Sequence, residues 1–473
     1  MISSKEDCLE RVESSNLNDM STRPARISEV IKLAAPIILS MVSMSLLGVV
    51  DTLFMRWVGS DAQAAIGLGA PLSFSVLSFF FGTLAGVTTF VSQYYGAKRH
   101  KESGNLLMHA TWVALFFGVF TMFVVVPLVW ELLVAMGTNA EIIDGAFSYL
   151  RIRLLAAPIV FVSFAYVSFL RGIGDMKTPA IVALIMVLAN VPLTYIFTFG
   201  LGPIPAYGVV GAAIGTILSQ AIELACYMLV VLNRKHHQQY NTRQFHRPNW
   251  AVLKSFFALS LPIGIGWAIE HVGWAIFGLY VGSLDKESAA ANAIVQVFMN
   301  LVFMPGLAIS IATTTLVGQY MGANNVKSAE KSANYSIMIC VGFLLIIGIA
   351  TYLCRYLIAE GFSDDPIVIK ICADLFIFGV LYQLFDGLGV PSMGALRGAG
   401  DTKFPMILMF LCMWVLMIPL IFFLGDYLGY GVYGAWLSTC ITCICVGIGG
   451  FWRFKRGHWK RLKVAASSAQ AEE

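Results

Sequence analysis

The chain has 473 residues, of which 58% are hydrophobic and only 12% are charged, and its formal net charge is +4. Soluble domains carry roughly 25% charged residues, so this composition excludes a soluble globular protein and predicts an integral membrane protein. The small net charge gives no indication of a nucleic-acid partner.

The first 26 residues contain four basic and five acidic side chains and no apolar core. A secretory signal peptide requires such a core. We therefore expect residues 1–26 to form a polar N-terminal tail rather than a cleaved signal peptide.

Long apolar segments dominate the rest of the chain. A helix needs about 20 apolar residues to cross the roughly 30 Å hydrocarbon core of a bilayer, and twelve such segments predict an all-α integral membrane protein with twelve transmembrane helices. The predicted helices cover residues 31–58, 64–94, 106–136, 148–170, 178–200, 207–232, 252–281, 289–320, 333–359, 367–396, 404–425 and 431–452. An even number places both termini on one side. Basic residues are concentrated in the loops of that side, which predicts cytoplasmic termini in a cell (inner or plasma) membrane.

A comparison of the sequence with itself shows that the chain is duplicated. LRGIGDMKTP, which begins at Leu170, returns as LRGAGDTKFP at Leu396. VSQYYGAK at Val91 returns as VGQYMGAN at Val317, at the same offset of 226 residues. Six predicted helices in each half make the two repeats parallel, and such repeats often enclose a cavity that opens alternately to the two sides of the membrane.

The repeat sets the expected domain boundaries. We predict two pseudo-symmetric six-helix lobes at 27–232 and 251–455, joined by a polar, basic, cytoplasmic linker at 233–250 and followed by a basic tail at 456–473.

Each LRGxGD motif has two interpretations. The motif places an arginine, an aspartate and two glycines at a helix end, with a proline at the start of the next helix, where its missing N–H is harmless. We favour a tight turn clamped by an Arg171–Asp175 or Arg397–Asp401 pair. The alternative is direct contact with a substrate.

All nine cysteines except Cys8 lie in or beside apolar segments. We interpret them as small buried hydrophobic residues that form neither disulfides nor a metal site.

Several polar residues of the first half lie at membrane depth. Asp51 is set in the first apolar segment, and an intramembrane carboxylate is a candidate functional residue. Asn190 and Thr194 are four residues apart and share a helix face, and Thr216 follows three glycines in the sixth predicted helix. Such oxygens suit a hard cation such as sodium, whereas a lone carboxylate could carry a proton. The alternative is hydrogen bonding between helices without a role in transport.

The second half has different ion chemistry. Glu270 lies in the seventh predicted helix, and Tyr382 and Asp386 share a face of the tenth, but Val160, the counterpart of Asp386, is not acidic. Two neighbouring carboxylates would respond to protons and cations alike. His271 faces about 100° away from Glu270, and we expect it to make a satisfied polar contact rather than to shuttle protons.

Five motifs together resemble the multidrug and toxic compound extrusion (MATE) transporters, and most of all their NorM branch. They are VDTLFMRWVG around Asp51, NVPLTYIF, LPIGIGWAIE ending at Glu270, YQLFD ending at Asp386, and the LRGxGD loops. The resemblance covers about residues 27–455. It implies a secondary active carrier that exports organic cations and other amphiphilic compounds in exchange for sodium or protons.

The resemblance also implies two cation sites, at which sodium could bind. The N-lobe site would comprise Asp51, Asn190, Thr194 and Thr216, and the C-lobe site Glu270, Tyr382 and Asp386. The DinF branch carries an aspartate where this chain has Thr194. This difference argues against a proton-only mechanism confined to the N-lobe and favours Glu270 and Asp386.

The sequence contains no nucleotide-binding loop and no catalytic constellation. We therefore expect a monomeric carrier, not an enzyme, that needs no cofactor and uses an ion gradient. A lipid-linked oligosaccharide flippase is the first alternative, but it would line its cavity with several arginines, and only Arg151 and Arg153 are candidates near the transmembrane interior. A channel or receptor is the second, although a duplication with asymmetric buried acids favours alternating access.

Overall fold

A computed structural model describes residues 20–22, 24–135, 140–244 and 247–462. Within these ranges the side chains of residues 46–47, 49–53, 60–71, 132–135 and 140–146 lie outside the description. Most of the two predicted tails, 1–26 and 456–473, therefore falls outside the described residues.

The described chain is helical apart from its turns and one small bridge. The helices are α1 Ile27–Val58, α2 Ser60–Gly96, α3 His100–Phe120, α4 Val126–Ala135, α5 Ala140–Leu155, α6 Ala157–Ile173, α7 Lys177–Phe199, α8 Gly208–Val231, α9 Arg234–Tyr240, α10 Trp250–Gly282, α11 Lys286–Gly322, α12 Val326–Glu360, α13 Pro366–Ala399, α14 Lys403–Phe410, α15 Ile418–Phe422 and α16 Gly431–Arg456. Eleven helical runs are long and apolar enough to cross a membrane, and the bent pair α5–α6 makes a twelfth. The all-α, twelve-span prediction is confirmed, with the bent pair taken as one span.

Prolines explain where the spans depart from straight helices. The predicted helix at 148–170 is two helices that meet at 55°, because Pro158 at the start of α6 lacks an N–H and its ring obstructs the preceding turn. Wide π turns at Thr121–Val125 and Leu411–Met417 come just before Pro127 and Pro419, a common cause of local helix distortion.

The first helix of each half packs against the other half. A Cβ added at Gly82 of α2 would lie 2.8 Å from the Cα of Gly264 in α10, and one added at Gly86 would lie 2.0 Å from Ser260 Oγ. These small residues let the two helices cross in close contact. The crossing carries much of the contact between the two halves of the sequence.

Alanines form the equivalent crossing between α1 and α11. Ala34, Ala308 and Ala312 are buried in one apolar cluster, together with Val30 and Ile37 of α1. The two crossings follow the repeat, because Ala308 and Ala312 are the counterparts of Gly82 and Gly86.

The LRGxGD motifs form two helix C-caps of the same kind. Gly174 has φ +89° and donates to Arg171 O (3.0 Å), while the Asp175 N–H donates to Leu170 O (3.0 Å). This is a Schellman motif, in which glycine takes the left-handed position without a Cβ penalty. Gly400, with φ +95°, repeats the same geometry in the second half.

The predicted arginine clamp on these turns is wrong. Asp175 accepts from the Lys177 and Thr178 backbone N–H groups and from the Thr178 hydroxyl, so it caps the start of α7. Asp401 pairs with Arg453 of α16 at 2.9 Å. A four-residue separation across a Schellman turn no longer places two side chains on one helix face, which is why the pairing inferred from spacing fails.

The linker at 233–250 contains a short helix, α9, that the sequence did not predict. Tyr240 at its end is buried and meets the rings of Phe169 (5.5 Å) and His100 (5.7 Å). The Asn249 N–H donates to His109 Nε2 (2.9 Å). The described linker is therefore packed against the first half.

The eight cysteines of the described chain are free, and Cys8 lies outside it. Five are buried as expected and Cys226 is half-buried. Cys354 and Cys445 are exposed on helix surfaces, so the prediction of burial is wrong for these two. A small apolar thiol suits a lipid-facing position as well as a protein core.

Candidate functional site

Two predicted residues of the first half form a buried polar cluster between α7 and α8. Thr194 Oγ1 donates to Asn190 Oδ1 (3.2 Å), and Asn190 Nδ2 donates to Ser219 Oγ (3.1 Å). Ser219 Oγ in turn donates to Thr216 O (2.7 Å). All three hydrogen-bonded side chains are fully buried. The cluster is a continuous chain of oxygen and amide groups in an otherwise apolar setting.

Glycines of α8 bring the two helices together at this cluster. A Cβ added at Gly215 would lie 2.6 Å from Thr194 Cα, and one added at Gly211 would lie 2.0 Å from Phe197 O. Only glycine fits at both positions without moving a backbone. Two of the three glycines that precede Thr216 therefore permit the close approach of α7 and α8.

The Thr216 hydroxyl donates to Ala212 O of its own helix (2.9 Å), so it joins the cluster through its backbone carbonyl and not through its side chain. Ser219 was missed by the sequence reading. Its signal was its spacing, since a residue three positions after Thr216 lies on the same helix face.

Asp51 lies within the span of α1, but its side chain is outside the described part of the structure. Phe54 and Met55, which follow Asp51 on α1, are buried in an apolar cluster with Ala212 and Ala213 of α8. The role of Asp51 therefore stays a prediction from the sequence.

The carboxylates of the second half interact electrostatically. Glu270 on α10 and Asp386 on α13 are within electrostatic reach of each other, and the Asp386 charge also acts on the Tyr382 hydroxyl one turn away. Electrostatic interactions thus link the three residues predicted for this half, and their role as a cation site stays a prediction. A carboxylate pair inside a membrane protein needs a proton, a cation or a basic partner.

Two further residues support Tyr382. Its ring stacks on the Trp436 indole with centroids 6.3 Å apart and an interplanar angle of 30°. The indole N–H donates to Asn292 Oδ1 (3.1 Å). Sequence reasoning missed both, because they come from α11 and α16 and no spacing along the chain links them to α13.

The half-buried arginines of the LRGxGD motifs interact electrostatically with acids of their own half. The Arg171 charge acts on Glu223 and Tyr227 of α8, and the Arg397 charge acts on Glu270. Arg397 therefore supplies a positive charge that acts on Glu270.

His271 makes the satisfied contact expected of it. Its Nδ1 lies 2.8 Å from the carbonyl oxygen of Trp267, and its ring meets Phe74 across the α2–α10 crossing at 5.0 Å. Both contacts fix the ring in place, which favours a structural role.

Comparison with known proteins matches both halves of the chain. Residues 36–196 and 262–423 match the family described as MatE. A protein of Thermotoga maritima named probable multidrug resistance protein NorM is 29% identical over 439 residues, which cover 92% of this chain and 94% of the relative. Multidrug resistance protein MdtK of Photorhabdus laumondii is 27% identical over 427 residues, covering 87% and 91%.

The fold is also known. The chain superposes with a TM-score of 0.83 on a structure described as the outward-facing conformation of a multidrug resistance MATE family transporter of the MOP superfamily. The two are 21% identical, and the match covers 94% of this chain and 98% of the other. At that identity the likeness establishes the fold. The family match, in contrast, spans well over half of the sequence and both of its repeats. The chain therefore belongs to the MATE family of multidrug efflux transporters, as a multi-pass membrane protein.

Proposed function

We propose that the protein exports organic cations and other amphiphilic toxic compounds in exchange for sodium or protons. The observation that carries the proposal is the electrostatic interaction between two carboxylates, Glu270 and Asp386, on two membrane-spanning helices. The names of the relatives as multidrug resistance proteins support the substrate class.

We assign the coupling cation to two sets of residues. The second half supplies Glu270, Asp386 and the Tyr382 hydroxyl, a hard oxygen environment suited to sodium or a proton. The first half supplies Asp51, Asn190, Thr194 and Thr216. The side-chain oxygens of the described members of this set lie on α7 and α8, whose close contact keeps them in one place.

The transport cycle follows from competition between the cation and the drug for the negative charge of the carboxylates. A cation that enters from outside occupies the carboxylates and releases the drug outward, and its release to the cytoplasm restores a charge that favours reloading. Only a cation that binds the two facing states differently can drive this cycle. One charge moving through 100 mV supplies about 2.3 kcal/mol. When the drug is itself a monovalent cation, one-for-one exchange is electroneutral and the ion's concentration gradient does the work.

We propose that both termini lie in the cytoplasm, so that the drug is moved from the side of the termini to the opposite side of the membrane. Basic residues are concentrated in the loops on the same side as the termini, and by the positive-inside rule this supports a cytoplasmic location. We further propose that a monomer suffices, because both halves of one chain supply a complete set of candidate ligands.

Efflux from liposomes under imposed gradients tests this function. Purified protein in liposomes loaded with a fluorescent organic cation should export it when a sodium or a proton gradient is applied alone, and the effective gradient identifies the coupling ion. Glu270→Gln should lower gradient-driven efflux at least tenfold. Glu360→Gln, which neutralises an exposed acid at the end of α12, should export normally. Absence of efflux under both gradients would overturn the proposal and favour a lipid-linked flippase.

A further inference from the structure

Two glutamines join the halves in a reciprocal way. Gln93 near the end of α2 and Gln319 near the end of α11 are equivalent positions of the repeat. Gln93 Nε2 donates to Gly398 O (2.9 Å), and Gln319 Nε2 donates to Gly172 O (3.0 Å). Gly172 and Gly398 are the first glycines of the two LRGxGD motifs. Each half thus holds the turn of the other half through the same residue.

The helix ends that carry these glutamines touch backbone to backbone. A Cβ added at Gly96 would lie 1.9 Å from Gln319 O, and one added at the equivalent Gly322 would lie 2.0 Å from Gln93 O. Any other residue at either position would push the two halves apart. The glycines therefore permit the approach that places each glutamine amide against the opposite turn.

The glutamine amides are desolvated in this arrangement. Gln93 is 2% exposed and Gln319 is 4% exposed, so each buried donor depends on its carbonyl partner. The hydroxyl of Thr315 adds a third bond between the halves, to Arg171 O (3.0 Å). Its counterpart Thr89 is buried with no partner for its hydroxyl among the described residues. Both glutamines of the repeat therefore bond to the opposite half, but only one of the two equivalent threonines does.

These contacts lie at the end of the molecule that carries the chain termini. Asn325, just after α11, donates from Nδ2 to Met20 O (3.0 Å), and the Tyr320 hydroxyl donates to Glu29 Oε2 (2.8 Å) at the start of α1. Both bonds also join the two halves. The terminal side is therefore the closed side of this structure.

We propose that Gln93, Gln319, Gly172 and Gly398 form a glutamine clasp that closes the transporter on the side of its termini and that must open once in each transport cycle. The clasp rests on the alternating access of the proposed function. A net hydrogen bond shifts an equilibrium about fivefold. Two such bonds favour the closed state roughly 25-fold if they act independently, which biases the equilibrium without locking it against ion or drug binding.

Hydrogen exchange of the full-length protein in lipid nanodiscs, without drug or ion gradient, tests the clasp. Gln93→Ala and Gln319→Ala should each speed exchange about fivefold in the turns at 170–178 and 396–404, and the double variant roughly 25-fold. The interior of α16 should exchange at the wild-type rate, which separates opening of the clasp from unfolding.

Gly96→Ala and Gly322→Ala provide a second route to the same state, because their methyl groups would wedge the halves apart and leave both glutamines in place. Gly342→Ala is the matched control, since an added Cβ there meets nothing within 4 Å. Turns that exchange at the wild-type rate in the double variant would overturn the clasp, as would faster exchange spread evenly over the whole chain. Because no transport is measured, failure of the antiport experiment leaves this result unaffected.

Discussion

Asn190 is the centre of the first-half cluster, since it accepts from Thr194 and donates to Ser219. An amide can do both at once because its donor and its acceptor are separate atoms, whereas an ionised carboxylate can only accept. Hydrogen bonds inside membrane proteins average about 0.6 kcal/mol. The cluster thus adds modest stability while it keeps several oxygen atoms oriented in a space without solvent.

Thr194 and Thr198 lie one turn apart on α7. Thr194 donates a hydrogen bond from its hydroxyl, whereas the Thr198 hydroxyl has no partner among the described residues. Thr194→Val should lower the free energy of unfolding by about 0.6–1 kcal/mol, because it removes the hydrogen bond to Asn190. Thr198→Val should be neutral or stabilising, since that buried hydroxyl has no partner among the described residues. Unfolding of the detergent-solubilised protein measures both. Equal losses from the two variants would contradict the assigned hydrogen bonding.

At the scale of helices, close contacts between small residues position the α7–α8 cluster and α10, the helix that carries Glu270. The α7–α8 contact depends on Gly211 and Gly215, and the α2–α10 crossing on Gly82 and Gly264. Pairs of this kind allow backbone approach in lipid, where no hydrophobic driving force draws helices together. Side-chain volume at the crossings therefore decides whether the polar groups meet.

Gly215→Ala tests this dependence. Its methyl group would lie 2.6 Å from Thr194 Cα, and the forced separation should destabilise the protein by about 1–3 kcal/mol and weaken the hydrogen bonds of the cluster. Gly278→Ala is the control, because an added Cβ there meets nothing within 4 Å. Thermal unfolding distinguishes the two. A fully stable Gly215→Ala variant would mean that α7 and α8 can separate without cost.

The sequence predicted the features that repeat along the chain. Hydropathy located the twelve spans, and the fixed offset predicted the two halves. Spacing within one helix correctly paired Asn190 with Thr194. It failed at the LRGxGD turns, where Asp175 accepts from backbone N–H groups of α7 and Asp401 pairs with Arg453.

Contacts between helices were the part that sequence reasoning could not reach. Ser219, Trp436 and the clasp glutamines meet their partners across helix pairs, and their positions follow from crossing angles and glycine contacts rather than from any period in the sequence. The exposed Cys354 and Cys445 show the same limit. In a membrane helix, apolar residues cover the lipid-facing surface as well as the core, so hydrophobicity alone does not reveal which face is buried.

The two halves of the molecule have the same order of helices but differ in the charge of their candidate site residues. Among the described residues, the candidate site groups of the first half are neutral amides and hydroxyls, and those of the second half are the carboxylates Glu270 and Asp386, with Arg397 acting on Glu270. We propose that this asymmetry gives the second half the charge for which cation and drug compete. Linkage makes the competition reciprocal: a cation that weakens drug binding is itself displaced by the drug to the same degree.

The most direct test of this account is the dissociation constant of a fluorescent organic cation, measured on purified protein at a series of sodium concentrations and pH values. We predict that the Kd of the wild type rises about tenfold for each tenfold rise in the coupling cation once that cation saturates its site. Asp386→Asn should remove this dependence. Asp374 is an acid on the same helix and accepts from the Tyr433 hydroxyl at 3.3 Å. The Asp374→Asn variant should retain the dependence. A wild-type Kd independent of both sodium and pH would contradict exchange by competition, as would an Asp386→Asn variant that responds like the wild type.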